Sequence, residues 1–224
     1  MRAQFTRPRF ILCEGDDDKG FLETLIAERQ LPEFQVCHSA EFNEQHTGGR
    51  TGFVTALRGI EPLAGFRDLR ALLIVTDNDV ADAAFSEAQE ALTRNGYFAP
   101  RTPADIGRLA GKPVAILMIP SAETEGNLET LCLPAIHDKW PKARECVHSF
   151  LECTGANSWT KKSSLRKATA RAAAVGFNEP DPFQGIGHLF RHKTLSVMHP
   201  CFDRIAEFLQ NFDRRVGIVE GLAP

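Results

Sequence analysis

The sequence predicts an α/β protein: a parallel sheet with helices on both faces, followed by an α-helical C-terminal extension. Three observations lead there. Ala71 to Val75 and Pro113 to Ile119 are unbroken apolar runs of strand length, as strands buried on both faces require. Segments of helical periodicity alternate with these runs, which is the order of a parallel sheet covered by helices. After Pro134 the pattern changes to helices, so the α/β unit is expected over residues 1–134 and a helical extension packed on it over 135–224.

Phe10 to Cys13 reads as a first short buried strand closing on Glu14-Gly15-Asp16-Asp17-Asp18. Phe21, Leu22, Leu25 and Ile26 make one apolar stripe of a helix that Asp16 or Asp17 caps and Leu31-Pro32 ends. Phe34 to Cys37 is a second strand. His46 to Gly52 is a glycine-rich connection without the lysine of a Walker A motif; Arg50 and its neighbouring amides are its candidate phosphate contacts. Phe53, Val54, Leu57 and Ile60 mark a helix that stops near Pro62. The strand from Ala71 ends in Asp77-Asn78-Asp79, and a helix from about Val80 to Arg94 is closed by Asn95-Gly96.

A loop leads to the strand at Pro113 to Ile119 and then to a second acidic stretch, with Glu123, Glu125 and Glu129. In the extension, Ala143, Val147, Phe150 and Leu151 mark a helix, Ser163 or Ser164 caps another running to about Val175, and 177 to 192 reads as irregular. Phe202, Ile205, Ala206, Leu209 and Phe212 form a final amphipathic helix. His188, His192 and His199 read as loop or surface residues.

Bulk composition narrows the function classes. The 224 residues carry a net charge of -3, unevenly spread: residues 1 to 135 sum to -7 and the remainder to +4. That asymmetry suits an acidic metal-binding half beside a basic, polyanion-facing one. The six cysteines form no C-x-x-C pair or zinc-ribbon spacing, so free thiols in the cytoplasm are expected. The apolar run behind Arg2, Arg7 and Arg9 is too short for a signal peptide, and no stretch approaches membrane-spanning length.

In a parallel sheet the groups after each strand meet at one edge, where open α/β sheets bind ligands. The carboxylates at 14 to 18, at 77 and 79, and at 123 to 129 therefore converge. Like charges about 4 Å apart repel by roughly 4 kcal/mol at an effective dielectric near 20, so the cluster needs a cation or a shared proton. Oxygen-only ligands suit Mg2+ or Mn2+. Asp77 and Asp79, two apart on a strand, can meet one ligand only if the chain is already turning.

Glu14-Gly15 after one strand, Asp77-x-Asp79 after a later one and a further acidic element after the next together resemble the Toprim domain of topoisomerases, bacterial primases and OLD-type nucleases. The spacing from Glu14 to Asp18 resembles the first motif of the OLD type. Gly126-Asn127-Leu128-Glu129 is similar to an element of small stand-alone bacterial Toprim-like proteins. The resemblance spans about residues 9 to 134 and implies a Toprim/Rossmann-like sheet. It also implies that Glu14 acts in acid-base chemistry or binds metal, that Asp77 and Asp79 hold magnesium, and that Asp18 and Glu129 support them. The one tyrosine, Tyr97, lacks a topoisomerase context, and ATPase motifs are missing, so such functions would come from a separate partner chain such as an ATPase.

Two other acidic α/β designs fit less well. A haloacid-dehalogenase-type phosphatase needs a late acidic pair, and no Asp-Asp follows position 79; a phospho-receiver does not call for a second carboxylate at 79. The expected function is therefore Mg- or Mn-dependent phosphoryl or nucleotidyl transfer, most simply nuclease hydrolysis, with a non-catalytic nucleic-acid, nucleotide or protein binding module as the alternative. Lys161, Lys162, Arg166, Lys167 and Arg171 stand together without an acid between Ser158 and Ala174, as nucleic-acid contacts would, and Trp159 beside them could stack on a base.

Overall fold

The computed structural model describes residues 4–42, 48–79, 83–176 and 185–218. These form an α/β fold on one five-stranded sheet. Strands β1 (Arg9–Cys13), β2 (Gln35–His38), β3 (Ala71–Asp77), β4 (Gly107–Leu109) and β5 (Lys112–Ile119) lie in the order β2-β1-β3-β5-β4. All run parallel except β4, which is antiparallel to β5. The four parallel strands match the apolar runs of the sequence. Strand β4 lies within the stretch that the sequence predicts as loop: it is three residues long, too short to show a period, and is made by the Ala110-Gly111 turn, where both residues have positive φ (47° and 82°).

Alternation along the strands divides the core in two. Ile11, Cys13, Leu73, Val75 and Leu117 point to one face; Phe10, Leu12, Leu72, Ile74 and Ile116 point to the other. Helices α2 (Gly52–Ile60) and α3 (Ala83–Arg94) cover the second face with Phe53, Leu57, Ile60, Ala88 and Leu92. The expected start of α3 at 80 to 82, like His46-Thr47 and 177 to 184, lies outside the described residues.

The first face is covered by α1 (Asp16–Glu28) and by the C-terminal helices α4 (Leu128–Lys139), α5 (Pro141–Cys153), α6 (Lys162–Val175), α7 (Ile186–Arg191), α8 (Asp203–Gln210) and α9 (Phe212–Val216). They share one core with the sheet. Phe21 of α1 meets Phe190 and Phe202 at ring-centroid distances of 5.1 and 5.2 Å, and Arg9 of β1 is ion-paired with Asp213 of α9.

Four local expectations need correcting. The helical pattern expected beyond Pro134 begins earlier, at Leu128, and Pro134 sits inside α4. The missing N–H costs about 3 kcal/mol, but Leu131, Cys132, Ala135 and Ile136 are buried on either side of it, at about 1.5 to 3 kcal/mol for each large side chain. Helix α6 starts after Lys161, which makes no side-chain capping bond, with Ser163 already buried inside it. The stretch read as irregular contains α7, six residues long with Gly187 inside it, too short to show a helical period. The final helix is two, α8 and α9, separated at Asn211. No described helix is long and apolar enough to cross a membrane.

Candidate functional site

Because β1, β3 and β5 are parallel, the residues that follow them share one edge, and β1 and β3 are neighbours where the strand order reverses. Glu14 follows β1 directly. Its Oε1 accepts from Thr76 Oγ1 at 2.6 Å and from the Asp77 backbone N–H at 2.9 Å. One residue on, Gly15 starts α1 in an extended conformation, and Asp18 reaches back so that its Oδ2 accepts the Gly15 N–H at 3.0 Å. Asp18, and not Asp16 or Asp17, therefore serves the helix start.

Asp77 is the last residue of β3, and its Oδ1 accepts the N–H of Leu128 at the start of α4, 3.0 Å away. Between the two aspartates, Asn78 does structural work that the sequence did not signal. Its N–H donates to the Ile119 carbonyl at 2.7 Å, its carbonyl accepts from Gly126 at 2.8 Å, and its side-chain amide donates to carbonyls of the loop at 121 to 124. Those partners lie more than 40 residues away, so no local pattern announces them. Asn127 then caps α4 by accepting the Thr130 N–H, which sets Glu129 in the first turn, buried.

The result is a cleft of about 420 Å³ where Glu14, Asp18, Asp77 and Glu129 meet Lys167 and Arg171 of α6. The α7 segment forms a further wall: the Gly187 N–H donates to Asp17 Oδ1 at 2.9 Å, and Arg191 grips both oxygens of Asp16 at 2.7 and 2.8 Å. A cleft of similar size between β5 and α8 has its cations engaged, Arg204 by Glu123 and Arg215 over the Phe208 ring.

Asp79, expected as a metal ligand beside Asp77, does not line the cleft. Its Oδ1 is 2.6 Å from Arg50 Nη1. The chain leaves β3 after Asp77 and is pinned at Asn78, and the second carboxylate is taken up by Arg50. Arg50, read as a phosphate contact, is instead enclosed by acceptors: Asp79, the Asp77 carbonyl at 3.2 Å, Glu87 at 2.6 Å and Glu14 at 3.8 Å.

The basic segment is also divided. Lys167 and Arg171, one turn apart, face the carboxylates. Arg166 holds the acidic loop through the Glu125 carbonyl at 2.7 Å, while Lys161 and Lys162 are exposed at the start of α6, next to a half-exposed Trp159.

Burial of these acids, reinforced by their mutual repulsion, shifts their protonation. Burial raises the Glu14 pKa, against the Thr76 hydrogen bond and the Arg50 charge. Asp18 is pushed up to about 8 by burial and then by Glu14. Asp77 is raised well above the usual carboxylate range by burial, Asp18 and Glu14, and Glu129 is raised by burial, against Lys167. Burial lowers the Lys167 pKa, but Glu129 and Asp77 outweigh it and the ammonium is held charged. The pocket thus carries more carboxylates than cations, an imbalance that a divalent cation or bound protons relieve.

All its donors are hard oxygens, so in chemistry and charge they fit Mg2+ or Mn2+. Among the described residues, no three His, Cys, Asp or Glu side chains already stand in a common ligating arrangement. Ligation would therefore draw their side chains together.

A family model described as "Protein of unknown function (DUF3226)" matches residues 8–213. No curated protein and no solved structure matches the chain.

Proposed function

The chain belongs to the DUF3226 family, whose description assigns no activity, and from its own chemistry we propose a Mg2+- or Mn2+-dependent phosphoryl or nucleotidyl transferase, most simply a nuclease that hydrolyses a nucleic-acid phosphodiester. One observation carries this reading: Glu14, Asp18, Asp77 and Glu129 come from three separate segments to one cleft, opposite Lys167 and Arg171. Acids alone would repel a phosphate, and cations alone would only bind one. Together they can bind it and move a proton beside it.

In this reading Lys167 and Arg171 hold the phosphate oxygens. Glu14, fixed through Oε1 by Thr76 and the Asp77 amide, takes the proton of the attacking water. Its raised pKa brings it nearer to neutrality, which makes it a better base than an ordinary glutamate. Asp77, with Asp18 and Glu129, would hold the divalent cation, which when bound supplies Lewis-acid stabilisation of charge developing on the phosphoryl oxygens. Lys161, Lys162 and Trp159 sit at the N-terminal end of the helix that carries Lys167 and Arg171, so a polyanion laid along α6 would meet both sets. Any ATPase function would belong to a separate partner.

The test is turnover. Substoichiometric protein is incubated with labelled single- and double-stranded DNA and RNA, with Mg2+, Mn2+ or chelator. Repeated cation-dependent cleavage, lost in Glu14→Gln, is the expected result. Retardation of the substrate without cleavage in any condition would overturn the enzyme reading. It would favour a non-catalytic module, a reading that draws on the lack of a ready ligating triad among the described residues.

A further inference from the structure

The mechanism above gives no role to Arg50, although it is the cation nearest to Glu14. The residue projects from the turn at 48 to 51, and that turn is fastened to Glu14 itself. The Gly49 N–H donates to the Glu14 carbonyl at 3.0 Å, and Ser39 Oγ bridges the Glu14 and Gly49 carbonyls at 3.1 and 3.0 Å. The guanidinium then lies between two carboxylates, 2.6 Å from Asp79 and 3.8 Å from Glu14, with Glu87 and the Asp77 carbonyl as further anchors. The Arg50, Glu14 and Asp79 side chains are each only about one-sixth exposed, so the arrangement is weakly screened.

Sites that transfer phosphoryl groups with two cations hold them about 3.5 to 4 Å apart. Here Glu14 lines the cleft with Asp18, Asp77 and Glu129 and also lies 3.8 Å from Arg50, which holds Asp79. Resting on the functional reading above, we propose that the Arg50 guanidinium, held by Asp79 beside Glu14, is a built-in second cation, so that the pocket takes a single divalent cation, on Asp18, Asp77 and Glu129. A tethered guanidinium keeps its charge across the pH range of protein function and cannot dissociate. Asp79 is then a positioning residue for Arg50 and not a metal ligand, which accounts for its place outside the cleft.

Calorimetric titration of Mn2+ into the whole chain tests this without substrate, with circular dichroism to confirm that each protein is folded. Wild type and Asp79→Asn are expected to take up about one equivalent, and Arg50→Gln, with Glu14 and Asp79 released, about two. About two equivalents in wild type, one in folded Arg50→Gln, or loss of binding in folded Asp79→Asn would each overturn the proposal while leaving the cation reading of the cleft in place. No Mn2+ uptake by wild type would refute the cation reading and this inference with it. Should Arg50→Gln not fold, the comparison of wild type with Asp79→Asn still decides whether Asp79 is a ligand.

Discussion

Glu14 Oε1 accepts the backbone N–H of Asp77 at 2.9 Å, so the side chain after one strand is fixed by the main chain at the end of its neighbour. The two strands are paired in parallel, with Leu12 opposite Ile74, so β1 ends one residue past this pair, at Cys13, and β3 runs three past it, to Asp77. Orientation of the proposed base is thus a property of the sheet and not of a mobile loop.

Replacing Glu14 with Gln tests the base directly. The amide oxygen can still accept from Thr76 and Asp77, so the melting temperature should stay close to that of wild type. Turnover should fall by about 10²- to 10⁴-fold, the usual contribution of a general base. Unchanged cleavage in a steady-state assay would remove Glu14 from that role.

Thr76→Val keeps a β-branched residue in the strand but deletes the hydroxyl that donates to Glu14. Burial already raises the Glu14 pKa and this hydrogen bond lowers it, so its loss moves the pKa further up. The acidic limb of the pH profile of kcat/KM should shift to higher pH. A limb that stays in place would mean that another group controls it.

Asp18 has a folded pKa of about 8 against an ordinary value of 3.8, so the folded protein binds this proton more tightly than the unfolded chain does. Stability therefore declines as pH rises between about 4 and about 8 and is level above that window. Glu14, Asp77 and Glu129 are raised too and act in the same sense. In cation-free buffer, Asp18→Asn should gain on wild type in melting temperature as pH rises from 5 to 8. An equal response of both proteins would contradict the assignment.

Lys167→Ala removes the charge that faces Glu129 and Asp77. If the ammonium binds a phosphate oxygen, KM should rise by roughly 10- to 100-fold, the equivalent of one charged hydrogen bond. Lys162→Ala, at the exposed helix start, should have a smaller effect that disappears as salt is added. Equal effects from the two lysines would argue against a distinct role for Lys167.

Gly187→Ala should destabilise the protein by about 1 to 3 kcal/mol, because a Cβ there would meet the Asp17 backbone at 2.7 to 2.8 Å. In a helix free of neighbours the same change stabilises by up to about 1 kcal/mol. Thermal unfolding gives the sign, and a rise in melting temperature would show that α7 does not press on α1.

Much of the scaffold was legible in the sequence because burial on both faces leaves a local mark. The runs at Phe10, Ala71 and Pro113 could be little else than interior strands, and parallel strands bring Glu14, Asp77 and Glu129 to one edge whatever the detail between them. Strand β4 and helix α7 left no such mark, since three and six residues are too few to show a period.

The sequence by itself determined the four parallel strands, their alternation with helices, and the neighbourhood of the acids, because those follow from periodicity and from the direction of the chain. Only the tertiary structure decided which acids face one another. Asp77 and Asp79 look alike in sequence, yet one lines the cleft and the other is held by Arg50 from a distant turn. Likewise, five basic residues between 161 and 171 read as one patch, and packing of α6 turned Lys167 and Arg171 to the cleft while Arg166 was drawn to the loop carbonyl of Glu125. The physical reason is that hydrogen bonds and ion pairs act over about 3 Å in space with no regard to separation along the chain.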